Sequence, residues 1–430
     1  MKEFFKNISV LLGGFIVFLL SATFLCSDYY FDSNTSTDLT AIYIWVKVGS
    51  FDEDKDNSGI SHFIEHLIFK GTPTKTQKDI APEIEKLGGI INAATSKDFT
   101  CFYTIVPSSY TLKATEILTD AVLNPVFPED EIEKERKVIL EEIKRKDDNP
   151  QSQLFDEFYK LVYEPTSYGK PVIGTAEIVT KLNRTDFLSF HKKFYTPQNI
   201  IVVVSGNFDR KSIFYVLKNG FSKLPKSKYT KKTNMKEFSN PEVQKSDSKI
   251  IIKKDVAHPY ILMGFTGASV ENTDQYALDL VSYVLGSGRA SRLYKKLVED
   301  TKLAYTIGCS FSTHRGPGLF YVYAECPSEN TNSLINRVSL ELLDITVNSV
   351  TNDELNRAKT LLIRDKLLQE QTPDGKAETI GFYATLGNPE IVKNYIKNIK
   401  KLKPQNIKKV MSKYLIFSNI PTVIITPLEN

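Results

Sequence analysis

The chain has 430 residues, more than one ordinary hydrophobic core supports, so two or three domains are expected. Its composition is that of a globular protein, with 41% hydrophobic and 25% charged residues. The net charge of +4 is small for this length and gives no basis for nucleic-acid binding.

The N-terminal residues 1–27 have the pattern of a signal peptide or membrane anchor. Lys2 and Lys6 precede an uncharged, mostly apolar run at residues 8–26, which is long enough to cross a bilayer. Acidic residues follow from Asp28 onward, and this order of charges places the N-terminus inside and the rest of the chain outside. A cleaved signal peptide is the competing interpretation. Either interpretation puts the body of the protein outside the cytoplasm.

Strands and helices alternate along the first half of the remaining chain. Residues 38–48 are rich in β-formers and predict a strand, and residues 60–70 carry apolar side chains at helical spacing. Further predicted elements are a short helix at 81–87, a strand–turn–strand unit at 90–105, helices at 112–123 and 128–146, and a buried strand at 199–206. This mixture indicates an α+β fold.

The second half repeats this order after a segment of different composition. Residues 226–248 are rich in lysine and serine, lack amphipathic spacing, and are interpreted as a linker rather than a basic binding surface. A strand at 260–265, a helix at 275–285 and a C-terminal strand at 420–426 then follow. We therefore predict two similar domains, at 28–225 and 249–430, each a mixed, mostly antiparallel sheet packed with helices.

The helix predicted at 60–70 carries the sequence H-x-x-E-H. His62 and His66 lie one turn apart, and Glu65 directly precedes His66. Positions i, i+3 and i+4 share one helix face, so two imidazoles can hold one zinc ion while the carboxylate reaches a water molecule. The chain holds only 5 histidines, which makes a chance match improbable. The helix predicted at 275–285 has no histidine, so only the first half can bind this metal.

A third ligand is needed, and the acidic helix at 128–146 is the richest source of one. Glu142 borders the apolar stripe of this helix, whereas Glu141 has Lys137 and Arg145 four residues away on either side. Glu135 lies two turns before Glu142 on the same face. We predict Glu142 as the ligand and Glu135 as its supporting carboxylate; the alternative is that all three are solvated charges.

Three cysteines follow the apolar run, at Cys101, Cys309 and Cys326. The chain has no C-x-x-C pair, so a cysteine zinc site is not expected. Buried free thiols are the favoured interpretation, and one disulfide is the alternative.

Several motifs together resemble a known family. The stretches GISHFIEHLIFKGT, ERKVILEEI, LGGIINAATSKDFT and LAYT are similar to those of pitrilysin-family (insulinase-type) zinc metallopeptidases, in the branch of the mitochondrial processing peptidase and its bacterial relatives. The resemblance extends from about residue 38 onward. It implies a clam-like unit of two homologous halves that cleaves peptides, with zinc held by His62, His66 and Glu142 and with Glu135 as a further acidic residue.

The resemblance also implies roles in catalysis and in substrate binding. Glu65 would accept a proton from the attacking water, and Tyr305 would approach the substrate from the second half. The substrate would pair with a strand containing the four consecutive residues Asn92, Ala93, Ala94 and Thr95. A strand that reads the peptide backbone predicts broad peptide specificity.

One position departs from the family pattern. Family members usually carry an arginine seven residues before the tyrosine, and here that position is Val298. Some relatives form heterodimers in which the zinc site and the arginine–tyrosine pair belong to different subunits. The chain is accordingly expected to form a homodimer or a heterodimer with a related subunit. A non-catalytic partner or scaffold subunit is the alternative, although such members generally have a damaged zinc motif.

Overall fold

The computed structural model describes residues 28–224, 249–415 and 420–428. These residues form two five-stranded sheets, each packed with helices. The predicted α+β class with two mixed, mostly antiparallel halves is confirmed. The predicted linker at 226–248 and the apolar run at 8–26 lie outside the described residues, so the proposed domain limits stay predictions.

The first sheet has the strand order β1–β5–β2–β4–β3. Only β1 and β5 are parallel, and the other neighbours are antiparallel. The strands are Asp28–Ser33 (β1), Leu39–Val46 (β2), Ile90–Thr95 (β3), Thr100–Pro107 (β4) and Ile200–Gly206 (β5). The central strands β2 and β5 are almost fully buried, whereas β3 forms one edge and alternates between exposed and half-buried residues.

The described residues of this half contain eight α-helices. They are Ile60–Leu67 (α1), Gln77–Lys86 (α2), Thr111–Leu123 (α3), Glu129–Asp148 (α4), Pro150–Tyr163 (α5), Ala176–Lys181 (α6), Arg184–Phe194 (α7) and Arg210–Phe221 (α8). The helix predicted to start at residue 81 begins at Gln77, because Thr76 and Asp79 form a capping box at its N-terminus. The strand β1 was not predicted from the sequence.

The second sheet repeats the same plan, with the order β6–β10–β7–β9–β8 and one parallel pair, β6 with β10. Its strands are Lys249–Lys254 (β6), Tyr260–Thr266 (β7), Thr306–Ser312 (β8), Leu319–Glu325 (β9) and Thr422–Pro427 (β10). Its helices are Gln275–Gly286 (α9), Thr331–Asn348 (α10), Asn352–Gln369 (α11), Pro373–Leu386 (α12), Glu390–Lys401 (α13) and Pro404–Tyr414 (α14). The strand β8 is the counterpart of β3 at the sheet edge.

The two halves interlock by exchanging one helix each. From the first half, α5 packs on the second sheet, where Leu154 and Phe158 contact the cluster that contains Leu262. From the second half, α12 packs on the first sheet, where Ala377 joins the cluster around Trp45. Each sheet therefore buries one of its apolar faces with a helix of the other half, and burial of that surface holds the halves together.

A buried group of polar residues also joins the halves, and we call it the inter-half ion cluster: Asp52, Asp98, Tyr168, His314 and Arg315. The Asp98 carboxylate accepts hydrogen bonds from the Tyr168 hydroxyl at 2.6 Å and from the Arg315 Nη2 at 3.1 Å. His314 Nδ1 lies 3.4 Å from Asp98, and Arg315 Nη2 lies 3.5 Å from Asp52. Asp98 thus links the turn between β3 and β4 to the loop between β8 and β9.

Two further observations concern sequence predictions. Cys101, Cys309 and Cys326 are free thiols, and Cys101 and Cys326 are buried. Within the described ranges, the structure contains no helix that combines the length and apolar character needed to cross a bilayer.

Candidate metal centre

The helix α1 presents the H-x-x-E-H residues because its other face is apolar. Ile60, Phe63, Ile64 and Leu67 are buried in the core of the first half, as the helical spacing predicts. This packing turns His62, Glu65 and His66 to the opposite, partly exposed face. Gly59 precedes the helix with a φ of 92°, a left-handed conformation that favours glycine.

Glu53 stabilises the start of α1, a role that sequence reasoning missed. Its buried carboxylate accepts hydrogen bonds from the backbone N–H groups of Gly59 at 2.7 Å and Ser61 at 2.9 Å. These donors have no partner within the helix, so Glu53 acts as an N-terminal cap. Burial raises the pKa of Glu53 to about 7, although its hydrogen bonds oppose that shift. The acidic turn before α1 was the only sequence signal for this residue.

The helix α4 brings the carboxylates to α1. Ile132, Ile139 and Ile143 are buried, so the edge of this apolar stripe faces α1. Glu142 is half-buried at that edge, whereas Glu141 is exposed to solvent. The structure therefore separates the two neighbours as the sequence predicted, and it gives Glu142 the position of a ligand.

His62, His66 and Glu142 form a group that could hold a metal ion, with ligand atoms all within 4.8 Å of one another. The Glu142 Oε2 lies 3.8 Å from His62 Nε2 and 3.6 Å from His66 Nε2. Ligands of a tetrahedral zinc ion at about 2.0–2.2 Å are separated by roughly 3.4 Å, so small movements suffice for coordination. The buried Glu142 Oε2 has no hydrogen-bond partner among the described residues, as expected of an atom oriented toward a cation. These residues fit zinc.

Glu135 contacts His66 at the ring nitrogen Nδ1, whereas Glu142 lies near Nε2. The His66 Nδ1 lies 2.9 Å from Glu135 Oε2, and the Lys70 ammonium lies 2.6 Å from Glu135 Oε1. A carboxylate at Nδ1 orients the ring and leaves Nε2 for a metal. Burial raises the pKa of Glu135, but the hydrogen bonds from His66 and Lys70 outweigh burial and hold it below its usual value.

The two histidines have different electrostatic surroundings. Burial lowers the pKa of His62 to about 4, and the positive charges of His66 and Lys146 add to this effect. Burial also acts to lower the pKa of His66, but the Glu135 hydrogen bond and the nearby carboxylates raise it above its usual value. A neutral imidazole is the form that binds a metal, so His62 is ready for coordination at neutral pH.

Glu65 lies beside this group without belonging to it. Its Oε2 accepts a hydrogen bond of 2.6 Å from the Thr95 hydroxyl, which ties α1 to the end of β3. Burial raises the pKa of Glu65, and its contacts with Thr95 and His66 oppose that shift. A cleft with a volume of about 700 Å³ opens here between α1, α2 and β3, lined in part by Glu65, His66, Asn92 and Ala93. A carboxylate in this position can exchange protons with a molecule bound in the cleft.

The four predicted substrate-binding residues all belong to β3. This strand pairs with β4 on one side and is the outer strand of the sheet, so its other backbone edge can accept an added strand. Ile91 and Ala93 pack on the core that contains α1, while Asn92 and Ala94 point to the opposite face. The group formed by His62, His66 and Glu142 thus lies beside a free strand edge that is long enough to pair with a peptide.

Tyr305 lies in the second half, immediately before β8, and 59% of it is exposed. Its backbone N–H donates to the Glu325 carbonyl, and its ring lies 5.4 Å from that of His258. Val298 is half-buried against the second core. The nearby basic residues Arg292 and Lys296 form ion pairs with Glu354 and Glu341, respectively. They are therefore engaged within the second half rather than placed as substitutes for the family arginine.

The remaining histidines have other partners. His191 is buried with its Nε2 2.9 Å from the Val122 carbonyl, and His258 pairs with Glu325 at 2.7 Å. His314 belongs to the inter-half ion cluster. These three histidines therefore have partners outside the group formed by His62, His66 and Glu142.

Comparison with known proteins identifies the family. The model described as "Insulinase (Peptidase family M16)" matches residues 30–176, and that described as "Peptidase M16 inactive domain" matches residues 181–362. A Rickettsia felis protein named "Uncharacterized zinc protease" is 35% identical over 405 residues, covering 93% of each chain. A Bacillus subtilis protein also named as a zinc protease is 29% identical and covers 93% of this chain and 96% of its own length. The chain belongs to peptidase family M16.

Solved structures share the fold. The crystal structure of a protease from Helicobacter pylori has a TM-score of 0.84 and 24% sequence identity, with 92% of this chain and 96% of that chain covered. This agreement over nearly the whole length confirms the two-half architecture. The resemblance to the insulinase-type family, proposed from the motifs, is confirmed as well.

Proposed function

We propose that this protein is a zinc-dependent endopeptidase that cleaves peptides or unfolded protein segments. The observation that carries the proposal is the placement of Glu65, which lies beside the His62, His66 and Glu142 group and is hydrogen-bonded to the end of an open sheet edge. Membership of peptidase family M16, whose relatives are named zinc proteases, supports the same conclusion.

The mechanism assigns one task to each residue. His62, His66 and Glu142 would hold zinc, which would supply Lewis acidity for activating water and polarising the substrate carbonyl. Glu65 accepts the proton of the attacking water and returns it to the leaving amine. Its half-buried carboxylate, whose pKa burial raises, suits this role. Glu135 holds the His66 ring in the orientation that leaves Nε2 free.

The substrate lies along β3 as an additional strand. Asn92, Ala93, Ala94 and Thr95 bind its backbone, so length and extended conformation matter more than most side chains. From the second half, the exposed Tyr305 hydroxyl donates a hydrogen bond to the substrate as charge develops on the carbonyl oxygen. For this hydrogen bond to form, the β8 side of the second half must lie next to the bound substrate.

The test compares three variants of the full-length chain for zinc content and for cleavage of an unstructured peptide. Glu65→Gln is expected to retain zinc and lose about 10²–10⁴-fold in activity, the usual contribution of a general base. Glu142→Gln is expected to lose zinc as well as activity. Glu141→Gln is the matched control, because that side chain is exposed on the same helix and should change neither. Full activity of Glu65→Gln with bound zinc would refute the assignment.

We also propose where the protein acts and with which kind of partner. The apolar run at residues 8–26 acts as a signal peptide or an anchor, and the peptidase works outside the cytoplasm, membrane-attached or secreted. The protein acts as a homodimer or with a related subunit. Protease protection of the chain in intact cells and sizing of the purified protein measure these two points.

A second candidate function is that of a subunit whose activity depends on its partner. Val298 stands where the family has arginine, and Arg292 and Lys296 are held in ion pairs elsewhere. In that case the purified chain binds zinc but cleaves peptides only when a related subunit that supplies the arginine is added. Activity of the chain alone distinguishes the endopeptidase from this alternative.

A further inference from the structure

We propose that the outer face of α8, with the adjoining aromatic side chains of β1, binds the headgroup region of an anionic lipid bilayer. The proposal rests on the membrane-attached alternative of the proposed function, because it starts from the apolar run at residues 8–26. It goes further by naming the part of the folded protein that lies on the membrane. We call this part the α8 surface, and it consists of Tyr29, Phe31, Lys211, Phe214, Tyr215 and Lys218.

The helix α8 exposes aromatic side chains on the face that points away from the core. Three of its apolar residues are buried in the first half: Ile213, Leu217 and Phe221. Lys211, Phe214, Tyr215 and Lys218 share the opposite face, because they occupy positions i, i+3, i+4 and i+7. Phe214 is 41% exposed and Tyr215 is 68% exposed. Exposed aromatic rings with a lysine one turn away on either side are typical of helices that lie at a membrane interface.

The strand β1 extends this aromatic surface. The ring centroid of Phe214 lies 5.7 Å from that of Tyr29 and 6.5 Å from that of Phe31. Tyr29 and Phe31 are two residues apart, so they project from the same face of the strand, and both are half-buried. The apolar surface therefore continues from α8 to an outer strand of the first sheet. A patch that spans two elements indicates a binding surface rather than a single exposed side chain.

The short connection between the apolar run and β1 places this surface close to the membrane. The run ends at Cys26, and β1 begins at Asp28. Three residues of extended chain span at most roughly 10 Å, which limits the distance from the end of the run to Tyr29. The C-terminal end of α8 lies beside Tyr29, since the ring of Phe221 is 6.1 Å away from it. When the run crosses a bilayer, this connection is too short to hold the α8 surface far from the lipid headgroups.

The charge of α8 complements anionic headgroups. Residues 209–224 contain four basic residues and one acidic residue, Asp209. Lys211 and Lys218 are exposed, and neither forms an ion pair within the part of the chain that the structure describes. The two carboxylates of β1 have partners of their own: Asp28 lies 3.8 Å from Lys47, and Asp32 lies 3.3 Å from Lys376. The lysines of the α8 surface are therefore available to lipid phosphates.

Binding through the α8 surface leaves the candidate metal centre accessible. The strands β1 and β3 are the two outer strands of the first sheet, with β5, β2 and β4 between them. Neighbouring strands are about 4.8 Å apart, so β3 lies roughly 19 Å from β1. The membrane thus holds one edge of the sheet, and the opposite edge remains open to peptides in solution.

The experiment places an indole in the α8 surface and measures whether it contacts lipid. Tyr215→Trp in the full-length, zinc-loaded chain adds an exposed tryptophan, whereas the native Trp45 is buried and supplies a constant background. The chain is reconstituted into vesicles of phosphatidylcholine with brominated acyl chains, with or without phosphatidylglycerol. Bromine quenches the indole at short range, so the added emission should be quenched in the anionic vesicles. Leu340→Trp, at an exposed position of α10 in the second half, is the matched control and should stay unquenched.

Charge reversal in the same tryptophan background tests the role of the lysines. Each lysine near an anionic surface contributes about a fivefold factor, so Lys211→Glu with Lys218→Glu should lower the bound-to-free ratio of the α8 surface by about 25-fold or more. Quenching should then fall to the level of Leu340→Trp. The pair Lys393→Glu and Lys397→Glu changes the net charge equally on α13 and should leave quenching unchanged. Zinc content and cleavage of a soluble peptide should be the same in every variant, because these side chains lie outside the candidate metal centre.

Two results overturn the proposal. One is quenching of Tyr215→Trp in anionic vesicles that is no stronger than that of Leu340→Trp, and the other is quenching that survives the charge reversal. An alkaline wash of the vesicles, which removes peripheral proteins, tests the proposed anchor separately. Release of the chain by the wash, after lysine-dependent quenching, contradicts the anchor and supports the α8 surface. Retention of the chain without quenching supports the anchor and overturns the α8 surface.

Discussion

The inter-half ion cluster offers a direct test of how the two halves are held together, through the substitution Arg315→Met. Arg315 is 11% exposed, and it faces Asp98 and Asp52, which are 2% and 6% exposed. Methionine keeps much of the side-chain volume but leaves Asp98 buried without its guanidinium partner. Removing one member of a buried ion pair typically costs about 3–5 kcal/mol.

His314 limits that cost because its Nδ1 lies 3.4 Å from the same carboxylate. The Tyr168 hydroxyl bond to Asp98 also survives the substitution. We therefore expect a loss at the lower end of the range, about 3 kcal/mol in the free energy of unfolding. The loss should be accompanied by weaker docking of the loop between β8 and β9 on the first half.

Urea unfolding followed by fluorescence measures this effect, because the chain has 1 tryptophan. Trp45 is buried on the first sheet, and Gly381 of α12 packs directly against its indole ring. Its emission thus reports both unfolding of the first half and separation of α12. Circular dichroism recorded in parallel shows whether the two halves still unfold together.

Two controls make the result decisive. Lys181→Met removes an exposed pair with Glu177 and should leave stability unchanged. Asp98→Asn should cost less in the Arg315→Met background than in the parent, because the carboxylate has already lost its partner. A loss below about 1 kcal/mol for Arg315→Met, or equal effects of Asp98→Asn in both backgrounds, would refute the reasoning.

Three further predictions concern α1 and α12. Glu135→Gln should weaken zinc binding by about 10–100-fold in chelator competition, because His66 loses its orienting carboxylate; unchanged affinity would contradict that role. The raised pKa of Glu53, about 7, means that the folded state keeps a proton that the unfolded state releases above about pH 4.5, so stability should fall as pH rises between these values. Glu53→Gln should flatten the curve of unfolding free energy against pH between about pH 4.5 and 7, and an unchanged slope would contradict this role of Glu53. Gly381→Ala should destabilise the protein by about 1–3 kcal/mol in urea unfolding, since a Cβ would lie 1.9 Å from Trp45 Nε1; a neutral effect would show that the helix can shift.

Local patterns in the sequence were enough to locate the metal group. His62 and His66 lie one turn apart on a helix whose other face is apolar, and that spacing exists before any tertiary contact is known. The same reasoning separated Glu142 from Glu141, because the apolar stripe of α4 indicates which carboxylate is turned inward. Helical periodicity thus predicted which side chains of α1 and α4 face each other, namely the candidate ligands and Glu135.

Contacts that depend on the path of the backbone could not be predicted in this way. Glu53 caps α1 across a turn, and its role depends on the path of the backbone rather than on periodicity. The exchange of α5 and α12 between the sheets is likewise invisible in either helix alone, since an apolar helix face does not specify which sheet it covers.

The sequence by itself predicted the two halves from their repeated order of elements. Side-chain spacing along single elements predicted the candidate metal-binding residues and the strand β3. Only the tertiary structure decided that β3 is an open edge and that α12 lines its far side with Asp374 and Glu378. The second feature brings residues 373–386 to the sheet that contains residues 90–95, and both features depend on packing, which is settled by shape and burial across the whole molecule.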